Sequence, residues 1–402
     1  MAALDMSSFD AALKQHYTAD RVENMTYQDH ALLALMPKMT DFGGKNLPIP
    51  IIFGDPQGAS ATFATAQANK TASQIQDFVL TRNKDYCIAS IDNETLKASV
   101  GNANAFMEAA TTEIDGAIHT AARRLAIAMY GSGSGSLGQN TSNATGTSIT
   151  LLDPESVTNF EVNMYIVFST ADGGGSVKTG RVQVSAVDRD SGVLTVGALT
   201  AIGSGAGIAA NDYIFVEGDY DLRLKGLRAW LPNSAPSATA FFGVDRSVDP
   251  TRLAGIRFDG SAMPIEEALI SAAARVAREG GRPDHAFMSY SKYADLEKAL
   301  GSKVQYVDLK ANAEIAFRGM LINGPRGPIK IVPDQDCPSD RCFLLQMNVW
   351  KLYSLGKAPQ IIDTDGLKML RDNSADSVEV RVGYYAQVGS RAPGWNCNLK
   401  LS

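Results

Sequence analysis

The clearest periodic pattern of apolar residues runs through residues 104–130, an alanine-rich segment followed by Gly131. Its apolar residues recur every three or four positions, as in an amphipathic helix: Phe106, Ala110, Ile114, Ala117, Ile118, Ala121, Leu125 and Ala128. The opposite stripe is polar: Glu108, Thr112, Asp115, His119 and Arg123. Such a helix measures about 40 Å at 1.5 Å per residue. We predict one long helix, called the spine helix below, around which the rest of the chain is arranged.

Residues 1–45 contain only short amphipathic pieces, around Phe9 and around Leu32 and Leu35. These pieces hold too few apolar side chains to form a core of their own. We therefore predict an N-terminal arm that must lie on something else.

A long hairpin is predicted after the arm. Residues 47–53 and 74–91 alternate apolar and polar side chains, which predicts two strands, and the prolines in the first place it at a sheet edge. The intervening residues 54–73 are small and polar apart from Phe63. A loop of that length in a compact domain is uncommon and usually functional or disordered. We expect a projection that needs a neighbouring subunit to order it.

A flexible linker and a small β domain are predicted after the spine helix. Residues 131–148 are rich in Gly, Ser, Asn and Thr, the composition of a linker. Residues 149–220 then contain short alternating segments separated by turn residues, which predicts an antiparallel β module. A weak echo between residues 163–168 and 211–216 would suit a barrel, although chance similarity explains it equally well.

The remainder of the chain has a mixed pattern. Residues 261–281 read as a helix with Pro264 near its first turn and Gly280 after its end. A short strand at 285–289, a second helix at 291–301 and several strands follow. In the last of these, Val378, Val380, Val382 and Tyr384 are predicted to face one side. The fold class is therefore α+β.

Composition and charge reduce the number of function classes that fit this chain. The 402 residues are 45% hydrophobic and 20% charged, as in an ordinary globular protein. A net charge of -6 argues against a protein that grips nucleic acid through a basic face. The N-terminus has no signal-peptide pattern and no apolar run approaches a membrane span. The four cysteines lack paired spacing, so reduced thiols are favoured over a Cys337–Cys342 disulfide.

No catalytic arrangement emerges from the motifs. The run GSGSGS follows a helix and lacks the Lys-Ser/Thr ending of a phosphate-binding loop. Four histidines are spread along the chain, which disfavours a nucleophilic triad. Asp334, Asp336 and Asp340 lie in an acidic run without the glycine and glutamate of a calcium loop, so a solvated turn is predicted. We expect no enzyme activity, cofactor or metal.

The order of these parts resembles the major capsid protein of tailed bacteriophages, whose Hong Kong 97-like fold is also seen in encapsulins and the herpesvirus capsid floor. The amino-acid sequence of the C-terminal third is most similar to the family. The stretches that carry this resemblance are LRLKGLRAWLP, NGPRGPIKIVPDQDCP, VWKLYSLGKAPQIIDTDG and YYAQVGSRAPGWN. The β module stands outside the resemblance and looks like an inserted decoration or stabilising domain.

The resemblance implies a layout of six parts. They are an N-terminal arm (1–45), an extended hairpin or E-loop (46–100), a peripheral domain with spine helix and linker (101–148), an inserted β domain (149–222), an axial domain (223–345) and a C-terminal return to the peripheral domain (346–402). Arm and hairpin would reach across neighbouring subunits, and the axial domain would meet its copies around five- and six-fold axes. The candidate subunit contacts are Phe9, Leu32, Leu35, Phe53, Phe63, Lys70 and Arg82.

The family also offers a Lys-to-Asn isopeptide crosslink, for which Lys70 and Asn373 are the nearest, loosely matching counterparts. We expect non-covalent locking instead. The implied partners are copies of the same chain in pentamers and hexamers, a portal, a cement protein and packaged double-stranded DNA in non-specific proximity. Because the arm-like sequence starts near Met1, we also expect a separate scaffolding protein or the removal of a segment not in this sequence. The expected location is the virion, after assembly in the bacterial cytoplasm.

Two other readings stay open at this point. An encapsulin-type shell that stores cargo enzymes has the same fold. A carbohydrate-binding tail or adhesion protein would instead use the β module as its binding face, but the aromatic residues of that module, such as Tyr165 and Phe215, lie inside predicted strands.

Overall fold

The computed structural model describes residues 29–92, 103–301, 306–310, 316–363, 370–371 and 375–402. Within these ranges, side chains are not described for residues 103–112, 306–310 and 316–318. The α-helices are α1 (Ala31–Leu35), α2 (Phe63–Ala68), α3 (Ala103–Tyr130), α4 (Leu227–Trp230), α5 (Ile265–Arg278) and α6 (Tyr290–Leu300).

The strands fall into three stretches of the chain. Before the long helix lie β1 (Lys38–Met39), β2 (Asn46–Gly54), β3 (Gln74–Thr81) and β4 (Asn83–Asp92). After it lie β5 (Ser136–Gln139), β6 (Ser148–Thr150), β7 (Tyr165–Ser169), β8 (Val182–Asp188), β9 (Val193–Val196) and β10 (Tyr213–Val216). The last stretch holds β11 (Ile256–Asp259), β12 (His285–Met288), β13 (Tyr306–Lys310), β14 (Ala316–Gly324), β15 (Gly327–Pro333), β16 (Arg341–Leu345), β17 (Trp350–Ser354), β18 (Gln360–Ile361), β19 (Leu370–Arg371), β20 (Ser377–Ser390) and β21 (Cys397–Lys400).

The spine helix is α3, and it covers one face of a sheet built around β20. β20 pairs antiparallel with β4 along one part of its length and with β17 near its end. Between helix and sheet lies an aliphatic core, whose members are Ile114, Ala117, Ile118, Ala121, Ala89, Ile91, Val378, Val380 and Val382. From Ile114 onward, the predicted apolar stripe is therefore the buried face of the helix, while the side chains of Phe106 and Ala110 lie outside the described residues. The predicted inward face of β20 is also confirmed.

The last stretch of the chain forms a seven-stranded mixed sheet with the order β11-β21-β16-β12-β15-β14-β13. Helix α5 packs on this sheet through Ala268, Leu269, Ala272, Ala273 and Val276. Its ends follow the sequence signals, because Glu266 and Glu267 lie in the first turn, Arg275 and Arg278 lie in the last, and Gly280 follows with φ +95°. Helix α6 begins where the Ser289 hydroxyl accepts the Lys292 N–H.

The predicted β module is a six-stranded sheet with the order β5-β10-β7-β8-β9-β6 and its own core. The prediction of a flexible linker over residues 131–148 is wrong for its middle part, because Ser136–Gln139 is strand β5 of this sheet. The glycines before it serve a tight approach to the sheet: Gly133 and Gly135 have φ of +95° and +88°. A Cβ on Gly135 would lie 2.8 Å from the Asp219 carbonyl oxygen. Only glycine tolerates this geometry without strain.

The hairpin consists of β2, β3 and the connecting residues 55–73, and its two strands pair antiparallel from Asn46 opposite Thr81 to Gly54 opposite Gln74. The prediction of one strand over 74–91 is wrong, because the chain leaves the hairpin at Arg82 and β4 joins the sheet of the spine helix. The expectation that the hairpin buries nothing of its own is also wrong for its base. One face of the base packs into the central core through Ile49, Ile51, Phe53, Phe78 and Leu80.

Candidate functional site

The described residues do not present a catalytic centre. Among them, no group of three or more His, Cys, Asp or Glu side chains is placed to hold a metal ion. His30, His119 and His285 lie far apart in the chain, and each belongs to a different element or loop. No helix in the described part of the chain is long and apolar enough to cross a membrane. The notable features are two buried polar clusters at the spine helix and an exposed apolar hairpin tip.

The first cluster, called the spine cluster, consists of Arg124, Asp85, Asp219 and Arg223. Arg124 donates from Nε and Nη2 to the two carboxylate oxygens of Asp85, at 2.9 and 2.8 Å. Its Nη2 also lies 3.0 Å from both carboxylate oxygens of Asp219. Arg223 pairs with Asp85 and donates from Nη2 to the Arg124 carbonyl oxygen at 2.8 Å. Two guanidiniums thus face two carboxylates, so the charges balance.

This balance sets the ionisation of Asp85. Burial favours the neutral acid, but the hydrogen bond from Arg124 and the charge of Arg223 outweigh it and lower the pKa of Asp85 below its usual value. The cluster joins β4, the spine helix and the segment that leaves β10. The six-stranded sheet is therefore fixed to the spine helix by ion pairs as well as by chain connectivity.

The second cluster, called the arm junction, consists of His30, Tyr130, Asp334 and Asp336. Asp334 Oδ2 accepts the Leu32 N–H at 2.9 Å and the Tyr130 hydroxyl at 2.9 Å, while its Oδ1 accepts the Asp336 N–H at 3.1 Å. His30 Nδ1 lies 2.6 Å from Asp336 Oδ2. The prediction of a solvated turn is wrong for Asp334, which is fully buried because the arm and the end of the spine helix close over it.

Burial changes the protonation of this junction. Desolvation, with the nearby Asp336 charge, raises the pKa of Asp334 to about 7. Burial lowers the pKa of His30, but the hydrogen bond with Asp336 and the carboxylate charges outweigh it, so the net shift is upward. Both groups therefore hold protons more strongly than in an unfolded chain.

The outer part of the hairpin is apolar and exposed. Ile52 and Ile75 are cross-strand partners with exposed fractions of 65% and 58%. Phe63, on the short helix α2, is 82% exposed. Helix α2 has no buried residue, and Lys70 beyond it is exposed as well. Three exposed large apolar side chains on one hairpin indicate an interaction surface.

A groove of about 600 Å³ separates the spine helix from the six-stranded sheet. It is lined on the helix side by Arg123 and Ile127 and on the sheet side by Leu137 and Val162. Arg123 reaches Glu161 on the sheet side, an exposed pair that Arg189 extends.

Comparison with known proteins bears on this architecture. The sequence model of the family described as SU10 major capsid protein matches residues 215–375. This stretch, which is less than half of the chain, is similar to that capsid family. The match begins at the end of β10 and covers α5, α6 and most of the seven-stranded sheet. No curated protein matches this chain.

Solved capsid structures are similar to this chain to different degrees. The cyanophage A-1(L) capsid is similar with a TM-score of 0.52 and 14% identity, over 89% of this chain and 88% of that one. The native GTA particle capsid covers 93% of this chain and 90% of that one, with a TM-score of 0.47 and 8% identity. The mycobacterium phage Ogopogo structure covers 100% of both chains, with a TM-score of 0.43 and 10% identity. The cyanophage likeness shows that this mixed α+β arrangement is one that phage capsids use.

The predicted subunit-contact and crosslink residues divide into four groups. Phe63 and Lys70 are exposed at the hairpin tip, as a contact with a neighbour requires. Leu32 and Phe53 are buried within the chain's own core, where the arm and hairpin base use these side chains internally, and their contact with a neighbouring subunit stays a prediction. Phe9 and Asn373 lie outside the described residues.

Leu35 and Arg82 are partly buried. Leu35 packs against the central core. Arg82 donates to the Phe42 carbonyl oxygen and lies 5.1 Å from the centroid of the Phe42 ring. Both side chains therefore make contacts within their own chain, and their contact with a neighbouring subunit stays a prediction.

The sequence reasoning missed both polar clusters. Asp85 lies at an inward position of an alternating strand, where a carboxylate needs a partner, and that signal was available. The sequence did not identify the partners, because Arg124, Asp219 and Arg223 come from distant parts of the chain.

Proposed function

We propose that this chain is a phage major capsid protein that assembles with copies of itself, through pentamers and hexamers, into a closed shell around double-stranded DNA. The observation that carries the proposal is the hairpin, where Ile52, Phe63 and Ile75 are exposed and where Phe63, at 82%, is the most exposed large apolar side chain among the described residues. Covering that tip with another copy removes the apolar surface from water. Repeated contacts between unlike surfaces close into shells when their rotation closes.

We further propose the Hong Kong 97-like layout for the chain. In it, residues 1–45 are the arm, 46–100 the extended hairpin, 101–148 the spine part of the peripheral domain, 223–345 the axial domain and 346–402 the return to the peripheral domain. The order of the described elements supports this layout, because the long helix and β20 pack together although they are far apart in sequence.

The inserted domain is proposed to be a small barrel that decorates or stabilises the shell. Strands β5 and β6 lie at opposite ends of the six-stranded order, yet the Leu152 N–H donates to the Gln139 carbonyl at 2.8 Å and the Thr141 N–H to the Thr150 carbonyl at 2.9 Å. These bonds join the two edge strands, which supports closure. Because β5 belongs to this sheet, the domain is proposed to start at Ser136 rather than at residue 149.

Size-exclusion chromatography and negative-stain microscopy of the purified full chain test the proposed function. Rings, pentamers, hexamers or shells are the expected result. A stable monomer across micromolar concentrations would overturn it. Scaffolding, portal and cement proteins are proposed as further partners, with the virion as the final location after assembly in the host cytoplasm.

Replacing Phe63 with aspartate is expected to abolish assembly without unfolding the subunit. The side chain makes no buried contact in its own chain, so the free energy of unfolding should change by less than about 0.5 kcal/mol. A charge at the tip must instead be desolvated when a neighbour covers it. Sedimentation and thermal unfolding of Phe63→Asp measure the two effects, with Phe63→Leu as the matched control that keeps an apolar tip. If Phe63→Asp formed normal shells, the hairpin tip would not be part of the contact between subunits.

The proposed locking is non-covalent, with Lys70 as a solvated tip residue rather than a partner of Asn373. Shells boiled in denaturant and run on a gel should give a single monomer band. A ladder of multimers would show the isopeptide crosslink instead.

A further inference from the structure

The arm junction connects three parts of the chain that are distant in sequence. His30 precedes α1, Tyr130 ends the spine helix, and Asp334 and Asp336 follow β15. Two of its contacts fix α1 directly, namely the hydrogen bond from the Leu32 N–H to Asp334 and the pair between His30 and Asp336. The attachment of α1 at this point therefore depends on two buried carboxylates and one imidazole.

The charges of this junction do not balance unless protons are bound. In the described part of the chain, His30 is the basic side chain paired with these carboxylates. The other titratable groups that act on the junction residues are acidic or weakly acidic: Asp29, Tyr130, Tyr290 and Cys337. Arg228 and Arg341 line the cavity beside Asp336, but each pairs with another carboxylate, Asp172 and Asp340 respectively. A protonated His30 neutralises one carboxylate and leaves one buried negative charge. A neutral His30 leaves two such charges, and an uncompensated buried charge is strongly unfavourable.

We propose that the arm junction is a proton-operated latch, which holds residues 30–36 against the spine helix and the loop after β15 while protons are bound and releases them when the protons leave. The proposal concerns the folded subunit and does not depend on shell assembly. Its physical basis is the arrangement of two buried carboxylates beside a single imidazole, where hydrogen bonds connect α1 and the residue before it to the loop after β15 and that loop to the spine helix.

The direction of the pH effect follows from the two pKa values. The folded pKa of Asp334, about 7, lies above the ordinary aspartate value of 3.8, so the proton stabilises the folded state and this contribution is lost as pH rises toward and through 7. The pKa of His30 is raised above 6.5, so its contribution is present below that value and is lost at higher pH. Both shifts act in the same direction, and the latch is expected to loosen between about pH 5 and 8.

Thermal unfolding of the full chain between pH 5 and 9 tests the latch against two variants. The midpoint temperature of unfolding of the wild type should fall between pH 5 and pH 8 by roughly 2 °C or more beyond the fall seen for Asp334→Asn. In that variant the side chain at position 334 is uncharged at every pH. Asp340→Asn is the matched control from the same loop, because the Asp340 side chain is largely exposed beside Arg341, and it should follow the wild type. Parallel curves for wild type and Asp334→Asn would overturn the proposal.

A local measurement separates the latch from a merely structural role and serves even if Asp334→Asn fails to fold. Hydrogen exchange of a wild-type peptide covering residues 30–36 should accelerate between pH 6 and 8 beyond the intrinsic rise, while a peptide from β20 should not. Equal corrected rates at both pH values would show that α1 stays attached and would overturn the latch.

Discussion

Replacing Arg124 with methionine is expected to destabilise the folded subunit by about 3–5 kcal/mol. The variant keeps the apolar stem of the side chain but removes the guanidinium that bonds both Asp85 and Asp219. Arg223 then remains to face the buried carboxylate of Asp85 and the partly buried carboxylate of Asp219. Leaving a buried charge unpaired costs far more than the pair itself contributes. Chemical denaturation of the dissociated subunit, followed by far-UV circular dichroism, measures the loss.

The neighbouring residue provides a matched control. Arg123 lies on the same helix and pairs with Glu161 beside the six-stranded sheet, but this pair is partly exposed, with side-chain exposures of 29% and 50%. Arg123→Met should therefore cost less than about 1 kcal/mol. Similar losses for the two variants would show that the spine cluster stabilises no more than a surface ion pair does.

The variant should also weaken the link between the spine helix and the six-stranded sheet. Limited proteolysis at the glycine-rich residues 131–135 reports on that link, because Gly135 lies against Asp219 and Arg223. Faster cleavage in Arg124→Met than in Arg123→Met is expected.

The parts of the fold that the sequence predicted well are those in which one face is apolar over many residues. The spine helix and β20 are the best cases, because their buried positions recur at 3.6 and 2 residues and no distant partner is needed to recognise them. Helix α5 was equally clear, since its charged end residues and Gly280 mark both termini. These elements also carry the resemblance to phage capsids in their order.

Two of the errors share a physical cause, which is that a small or polar residue looks solvated until its distant partner is known. Gly133 and Gly135 read as a linker, yet they allow the chain to turn tightly from the helix into β5 beside Asp219. Asp334 read as part of a solvated turn, yet Leu32 and Tyr130 supply its hydrogen bonds from about 300 and 200 residues away in sequence. Composition alone does not reveal such contacts.

The candidate contact surface was predictable in part. Phe63 stood out as a lone aromatic residue in a small polar segment, and the structure leaves it exposed. Leu32 looked similar in sequence but completes the central core, because the arm folds back onto its own chain from residue 30 onward. Whether an apolar residue serves the core or a neighbour depends on what covers it, and the local pattern is the same in both cases.

Replacing Trp230 with alanine is expected to cost about 3–5 kcal/mol, which is comparable to the loss of Arg124 but arises from packing. The fully buried indole lies edge-on to Phe78 at 4.9 Å, Phe241 at 5.1 Å and Trp350 at 6.2 Å between ring centroids. Its Nε1 donates to the Val388 carbonyl at 3.0 Å. The side chain therefore joins β3 of the hairpin base to β20, and its removal leaves both a cavity and an unpaired buried carbonyl.

Trp395→Ala is the matched control, because the Trp395 side chain is 40% exposed. It should cost clearly less than Trp230→Ala in the same denaturation experiment. Because Trp230 holds the base from which the hairpin projects, Trp230→Ala should also reduce assembly, whereas Phe63→Asp reduces assembly alone. A Trp230→Ala subunit with unchanged stability would mean that the hairpin base is held by the surrounding aliphatic residues rather than by this aromatic cluster.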